Sequence, residues 1–397
     1  MISPLPSLVA SGIEGAMTLA NRFHNRPFLL APALLLLAGC GAAPPAETPL
    51  SEAALAAVTA DAGAPKDQLA RRIDDIFTAP GVGETRAVVL MADGKLAAER
   101  YADGYDADTR FVSWSMAKTV TGVLIGMLVA DGLLALDEPA PVPLWQRPGD
   151  PRAGITLRHL LQMRSGLRHT EAGDPPYESS EVRMLFLDGR DDMARWAREQ
   201  PLEAEPGKQF EYSSNTSVIL ADIAARALTD SSDPEARRKA VANYLEQRLF
   251  GPLGMTSMVP EFDASGTLIG GSLMHATARD WAKFGEMLRR KGRAPGGEQL
   301  VPQRWVEAMV TPSPASPHYG FQTWLNRPIP GVAASEHPLF PDRAPQSLFS
   351  LIGHMGQYVL VSPAQRVTLV RLGHSGAEER KAMLQQTADV LELYPAK

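Results

Sequence analysis

Apolar positions along the chain change their period twice. In KDQLARRIDDIF (66–77) they fall at Leu69, Ile73, Ile76 and Phe77, the spacing of one helical face, and predict a first helix. TRAVVLMA and KLAAERYADGY then flank Asp93-Gly94, the strongest short hairpin signal. From there the period becomes helical, over 115–134, 156–163, 191–199, 213–228, 233–249 and 277–291. Strand patterns return in GFQTWLN (320–326), SLFSLIG (347–353), QYVLVSP (357–363) and RVTLVRLG (366–373), and 376–393 reads as a closing helix. Strands at both ends with helices between them predict an α+β fold. One antiparallel sheet would be assembled from the two termini and flanked by helices, with an all-helical lobe inserted.

The amino-terminal pattern differs. FLLAPALLLLA (28–38) is an uncharged apolar run preceded by Arg22 and Arg26 and followed by Gly39 and Cys40. It is too short to span a bilayer, which takes roughly 20 residues, and suits the apolar core of a secretory signal. Leu37-Ala38-Gly39-Cys40 resembles the bacterial lipoprotein box, whose cysteine is lipidated and becomes the mature terminus. The expectation is a lipoprotein signal over 1–39, a flexible tether over 40–65 rich in proline and alanine, and one domain over 66–397. Met17 would leave a signal of more ordinary length than Met1. Gly41 after the cysteine implies, by the same resemblance, the periplasmic face of the outer membrane.

Composition narrows the classes. Lys and Arg number 39 against 45 Asp and Glu, and the formal net charge of −6 excludes a globally basic nucleic-acid binder. Hydrophobic residues at 45% and charged residues at 21% fit a chain with a large core. The single cysteine allows neither an intrachain disulfide nor a cysteine-based metal cluster, so no metal or cofactor is called for. The HExxH, P-loop and Gly-x-Ser-x-Gly patterns of metalloproteases, NTPases and α/β-hydrolases do not occur.

Three segments carry candidate chemistry. Ser115 and Lys118, in SMAKT, stand three positions apart at the start of a helix, on one face and within reach of each other. A serine hydroxyl is a weak nucleophile without a base. The apolar stretch TVTGVLIGMLVA implies that Lys118 is buried, which lowers a lysine's pKa and lets the neutral amine take the proton. The helix start also offers N–H groups to an oxyanion. Taken alone, Ser115 reads equally as a cap and Lys118 as a surface residue. Tyr212 and Asn215 open the next apolar helix, where a nearby lysine would favour phenolate, or where Tyr212 simply packs and Asn215 caps. His354, Gly356 and Gln357 lead into a strand whose glycines permit close approach of a ligand.

Together SMAKT, ITLRHLLQMRSGL (155–167), PGKQFEYSSNT (206–216), FGPLGM (250–255), GGSLMHATARDWAKFG (270–285) and IGHMGQYVLVSP (352–363) resemble, in this order, the serine hydrolases of the β-lactamase-related, penicillin-recognising superfamily. The branch most resembled is the class C-like one that includes family VIII carboxylesterases and 6-aminohexanoate-dimer hydrolases. The resemblance covers roughly residues 79–393. It implies the β-lactamase/DD-peptidase-like fold and an acyl-enzyme on Ser115, with Lys118 as base and Tyr212 as proton shuttle to the leaving group. His354-Met355-Gly356 would match the family's His-x-Gly triplet, Gln357 N–H would join Ser115 N–H in the oxyanion hole, and Tyr177 would touch the substrate. Asn215 would position a substrate carbonyl, although it follows Tyr212 by three residues where the family's Tyr-x-Asn has two. The substrate implied is a small ester, amide or peptide. His354 in place of the family's lysine weakens the case for β-lactams. A β-lactamase or D-Ala-D-Ala peptidase is the neighbouring reading. A catalytically silent envelope lipoprotein that binds cell-wall peptides or a protein is the reading from another class.

Overall fold

The computed structural model describes residues 49–333 and 336–397. The expected signal segment and Cys40 lie outside the described residues. The main sheet contains β1 (Glu84–Ala92), β2 (Lys95–Tyr101), β6 (Trp324–Leu325), β7 (Phe349–Gly353), β8 (Gln357–Ser362) and β9 (Val367–His374). Its order is β2-β1-β9-β8-β7-β6, every pair antiparallel, so the amino-terminal hairpin is zipped to the carboxy-terminal strands through β1 and β9. The expected α+β arrangement, with the lobe of helices between the two sets of strands, is the one observed.

Period-two alternation builds two cores from the same strands. Ala87 and Val89 of β1, Val359 and Val361 of β8, and Val370 and Leu372 of β9 face the helical lobe. Val88, Leu90, Leu360 and Leu369 face the terminal helices Lys66–Thr78 and Ala377–Leu391, through Leu69, Ile73, Met383 and Val390. Both sheet faces are covered, which is why these strands read as near-continuous apolar runs.

The expectation of a loose tether ends earlier than residue 65. Glu52–Ala56 forms a short helix capped by Ser51, Ala54 is fully buried, and Val58 bridges to Ala98 beside β2. Small side chains let this segment lie flush against the sheet edge, where Thr59 N donates to Ala97 O at 2.9 Å. Part of the stretch expected as a tether, from Ser51 on, is therefore packed against the domain. A second, small sheet escaped the sequence reading because its strands are two or three residues long: β3 (Phe111–Val112), β5 (Met274–Ala276) and β4 (Val259–Pro260).

The helix that follows the nucleophile candidate, Ala117–Ala130, runs through the middle of the lobe, buried on nearly every side. Its Gly126 is required by Trp305, whose Nε1 donates to Gly122 O at 3.0 Å. A Cβ on Gly126 would stand 2.2 Å from that indole nitrogen. Gly126→Ala should therefore lower stability by about 1–3 kcal/mol through overpacking, more than the ~1 kcal/mol gained in helix propensity. A urea midpoint equal to or above that of the parent chain would contradict this packing.

Candidate active site

The site begins with how the chain is held around Ser115. Ser113 extends the small sheet: its N–H donates to Met274 O at 2.7 Å and its Oγ accepts from Met274 N at 3.1 Å. Trp114 then takes a left-handed backbone, with φ of 45°, which a bulky residue adopts only when its neighbours enforce it. Ser115 follows in the 3-10 turn Trp114–Met116 that leads directly into the Ala117–Ala130 helix. The nucleophile candidate thus occupies a tight turn just ahead of the α-helix, one step away from the expected helical start.

Lys118 is 1% exposed and donates to Ser115 Oγ at 2.9 Å, Ser214 Oγ at 2.7 Å and Gly271 O at 2.8 Å. Three acceptors satisfy the three N–H bonds of an ammonium, a group with no acceptor capacity of its own. The burial expected from the sequence is present, but its effect on the charge is reversed. Burial alone would lower the Lys118 pKa, yet Tyr212, Glu171 and Glu181 outweigh it and the net direction is upward. Lys118 at rest is an ammonium.

The two acids were missed by the sequence reading. Glu171 Oε1 lies 3.6 Å from Lys118 Nζ and accepts from Ser214 Oγ at 2.6 Å, while its Oε2 meets Ser214 N at 2.8 Å and His169 Nε2 at 2.5 Å. Burial opposes its charge, but Lys118 and His169 hold its pKa down to about 2. Glu181 Oε1 lies 2.9 Å from Ser214 Oγ and 3.3 Å from Ser272 Oγ. Burial and the neighbouring Glu171 charge push its pKa up to about 7. Glu181 occupies the first turn of the Ser180–Phe186 helix, capped by Ser179, and an acid at that position reads as ordinary helix-end electrostatics. Only the fold, which brings the 169–181 segment against Ser214, gives it a second meaning.

Tyr212 is half-buried against Trp324 and Tyr319, at ring separations of 5.1 and 5.8 Å, and its ring lies 4.8 Å from Lys118 Nζ. Its phenol lies close enough to Ser115 and Lys118 for each to act on it electrostatically. Burial raises the Tyr212 pKa more than Lys118 lowers it, so the group stays a phenol. That corrects the expectation that the adjacent charge would favour phenolate in the resting site.

Asn215 makes none of these contacts. It is 3% exposed, and neither its Nδ2 nor its Oδ1 hydrogen bonds to protein. The helix that starts after Ser213 turns Ser214 toward Lys118, so Ser214, two residues after Tyr212, stands where the Tyr-x-Asn spacing would place a polar group. Tyr177 sits on the short turn Pro176–Glu178 with 61% of its surface exposed, outside the hydrogen-bonded cluster.

The far wall is the β7–β8 hairpin. Gly353 and Gln357 are paired, and a Cβ on Gly353 would lie 2.3 Å from Ser113 O, so glycine is what lets this strand close on the nucleophile turn. Met355 and Gly356 both have positive φ, 57° and 83°. Arg371, fully buried without a carboxylate, holds the hairpin through Gly356 O at 2.9 Å and also bonds Thr85 Oγ, Glu84 O and Ser375 Oγ. The Gln357 side chain spans Gly373 N and Gly373 O. His354 is exposed and meets Trp114 edge-on, with ring centroids 5.5 Å apart. Among the described residues no group of three His, Cys, Asp or Glu side chains is arranged to hold a metal ion.

The Beta-lactamase family model matches residues 69–392, most of the chain. The chain belongs to the beta-lactamase family. A 257-residue stretch, 62% of this chain, is 26% identical to the 6-aminohexanoate-dimer hydrolase of Paenarthrobacter ureafaciens and spans 62% of that relative's length. Among solved structures, EstCE1, a hydrolase with promiscuous acyltransferase activity, is 17% identical over 82% of this chain and 98% of its own, with a TM-score of 0.58. The D-alanine carboxypeptidase AmpC of Burkholderia cenocepacia is 20% identical over 81% of this chain and 97% of its own, with a TM-score of 0.54. These two place the beta-lactamase fold, as the sequence motifs implied.

The raised pKa of Glu181 makes a statement about stability. Because the folded state holds this proton more tightly than the unfolded chain, the contribution is full below the ordinary value of 4.5 and is lost as pH rises through about 7. Glu181→Gln cannot ionise. Its melting temperature relative to the parent should therefore climb between pH 4.5 and 7 and level off above, with a free-energy gain of roughly 3 kcal/mol at most. A difference that does not vary with pH would contradict the assignment.

Proposed function

We propose that the chain is a serine hydrolase that cleaves an ester or amide bond through an acyl-enzyme on Ser115. The observation that carries this reading is the 2.9 Å contact between Ser115 Oγ and the buried Lys118 Nζ, at a turn just ahead of a helix. Ser115 Oγ attacks the carbonyl and gives its proton to the Lys118 side. The N–H groups of Ser115 and Gln357 receive the developing oxyanion. Tyr212, a phenol at rest and within reach of Ser115, protonates the leaving group as the bond to the carbonyl carbon breaks. The resulting phenolate, next to a cationic Lys118, then takes a proton from the water that attacks the acyl carbon, and Ser115 is released.

Small esters and linear amides are the favoured substrate class. His354 and not a lysine stands in the β7–β8 turn on the wall facing Ser115, so a β-lactam carboxylate lacks its fixed positive partner. The curated relative's name, a hydrolase of the 6-aminohexanoate dimer, supports the same class. We also propose export and lipid anchoring in the cell envelope through Cys40, a reading that rests on Leu37-Ala38-Gly39-Cys40 and the apolar run before it.

Ser115→Ala should keep its fold and lose turnover of a chromogenic short-chain ester by at least roughly 10⁴-fold, and Lys118→Ala should lose nearly as much, since the groups act as a unit. A panel of esters, linear amides and nitrocefin measured on the parent chain locates the substrate class. Undiminished ester turnover in Ser115→Ala would overturn the assignment.

A further inference from the structure

We propose that the Glu171–Glu181 pair is the final acceptor of the Ser115 proton, reached through Lys118 and the hydroxyl of Ser214. This rests on the reading of Ser115 as nucleophile and adds the destination that reading lacks. An ammonium has no lone pair, so Lys118 can take the serine proton only by releasing one of its own in the same event. Of its three acceptors, Ser115 is the source and Gly271 O is a carbonyl with nothing to pass on. Ser214 Oγ, at 2.7 Å, both accepts and carries a proton it can hand forward.

What lies beyond Ser214 settles where that proton goes. Its Oγ has one proton and two lone pairs, and one lone pair is taken by Lys118. The single proton can go to one carboxylate, yet Glu171 Oε1 and Glu181 Oε1 both stand within hydrogen-bond distance, at 2.6 and 2.9 Å. Both contacts are satisfied at once only if one carboxyl carries a proton and donates it to Oγ. Glu171 is the ionised partner, since Lys118, the Ser214 N–H and His169 all turn toward it. Glu181, which meets Ser214, the Ser272 hydroxyl and the Glu171 charge, carries the shared proton when the solution is acidic. The other ionisable groups around the pair are Tyr212, beside Lys118, Glu211, which senses His169 and Glu171, and Tyr319 and His354, which sense the Glu171 charge.

The step balances. As the Ser115 Oγ–carbon bond forms, the Ser115 proton moves to Lys118 Nζ, a Lys118 proton moves to Ser214 Oγ, and the Ser214 proton moves to an ionised Glu181 Oε1. Lys118 ends as an ammonium and Ser214 as a hydroxyl; one proton has passed from Ser115 to Glu181. In deacylation the same path runs backward and returns the proton to Ser115 Oγ as it leaves, while Tyr212 takes the proton of the attacking water. Protonated Glu181 cannot accept, so acylation is switched on as Glu181 ionises, near pH 7.

The test is the pH dependence of kcat/KM for p-nitrophenyl acetate, which reports acylation and has a leaving group that needs no acid. The full chain should show a rise through an apparent pKa near 7 to a plateau. Glu181→Gln should run flat at the parent's low-pH level, at least tenfold below the plateau. Glu171→Gln, which removes the like charge beside Glu181, should retain a rise displaced to lower pH. Ser214→Ala should be as slow and as flat as Glu181→Gln. A Glu181→Gln profile that superimposes on the parent's, limb and plateau alike, would overturn the relay. If that turnover still vanishes in Ser115→Ala, the nucleophile stands and only the relay falls; turnover that survives Ser115→Ala removes the reading beneath both.

Discussion

A lysine ammonium taken almost wholly out of water has to find three acceptors and a counter-charge, and the arrangement of this molecule around Lys118 is the way it finds them. Each acceptor comes from a different stretch of chain: the nucleophile turn, the start of the Ser214–Leu228 helix and the Gly270-Gly271 segment. The counter-charge comes from a fourth, at Glu171. Leaving any of these unmade would strand a buried charge, at a cost larger than most single contacts in a protein. The site is therefore specified by the need to satisfy one cation.

The same constraint explains the glycines that surround the site. Gly270 would place a Cβ 2.4 Å from Thr121 Oγ1, and Gly271 one 2.9 Å from Ser214 O, so Gly270 can approach the Ala117–Ala130 helix, and Gly271 the start of the Ser214–Leu228 helix, only without side chains. Gly353 plays the corresponding part on the opposite wall, against Ser113 O. Arg371 keeps that wall in place with a second buried cation, satisfied by neutral oxygens alone; burial lowers its pKa to about 10, still well above neutrality. One buried cation sits beside Ser115 and the other holds the opposite wall.

Most of the sheet was legible because its strands carry unbroken apolar runs and Asp93-Gly94 marks the hairpin; that both termini share it was expected, while the register between β1 and β9, nearly three hundred residues apart, is fixed only by the fold. Ser115, Lys118 and Tyr212 were legible because each lies at a helix start with a recurring neighbour pattern. The pair Glu171 and Glu181 was not, since two acids in a proline-rich loop and a first helical turn look like solvated charges until the fold sets them beside Ser214. At Asn215 the spacing differs by one residue: Ser214, two residues after Tyr212, is the side chain that meets Lys118, and Asn215 is buried without a hydrogen-bond partner in the protein. The packed stretch from Ser51 to Pro65 was hidden by its composition, because alanines that lie flush on a sheet edge look the same in sequence as alanines in a linker.

The central claim is that Ser115, activated by its contact with Lys118, is a nucleophile. Treatment of the full chain with an aryl fluorophosphonate, followed by peptide mass mapping, tests it most directly. The account predicts one covalent adduct, located on the peptide that contains Ser115 and absent from Ser115→Ala and Lys118→Ala. No adduct on the parent chain, or an adduct that persists in Ser115→Ala, would contradict it.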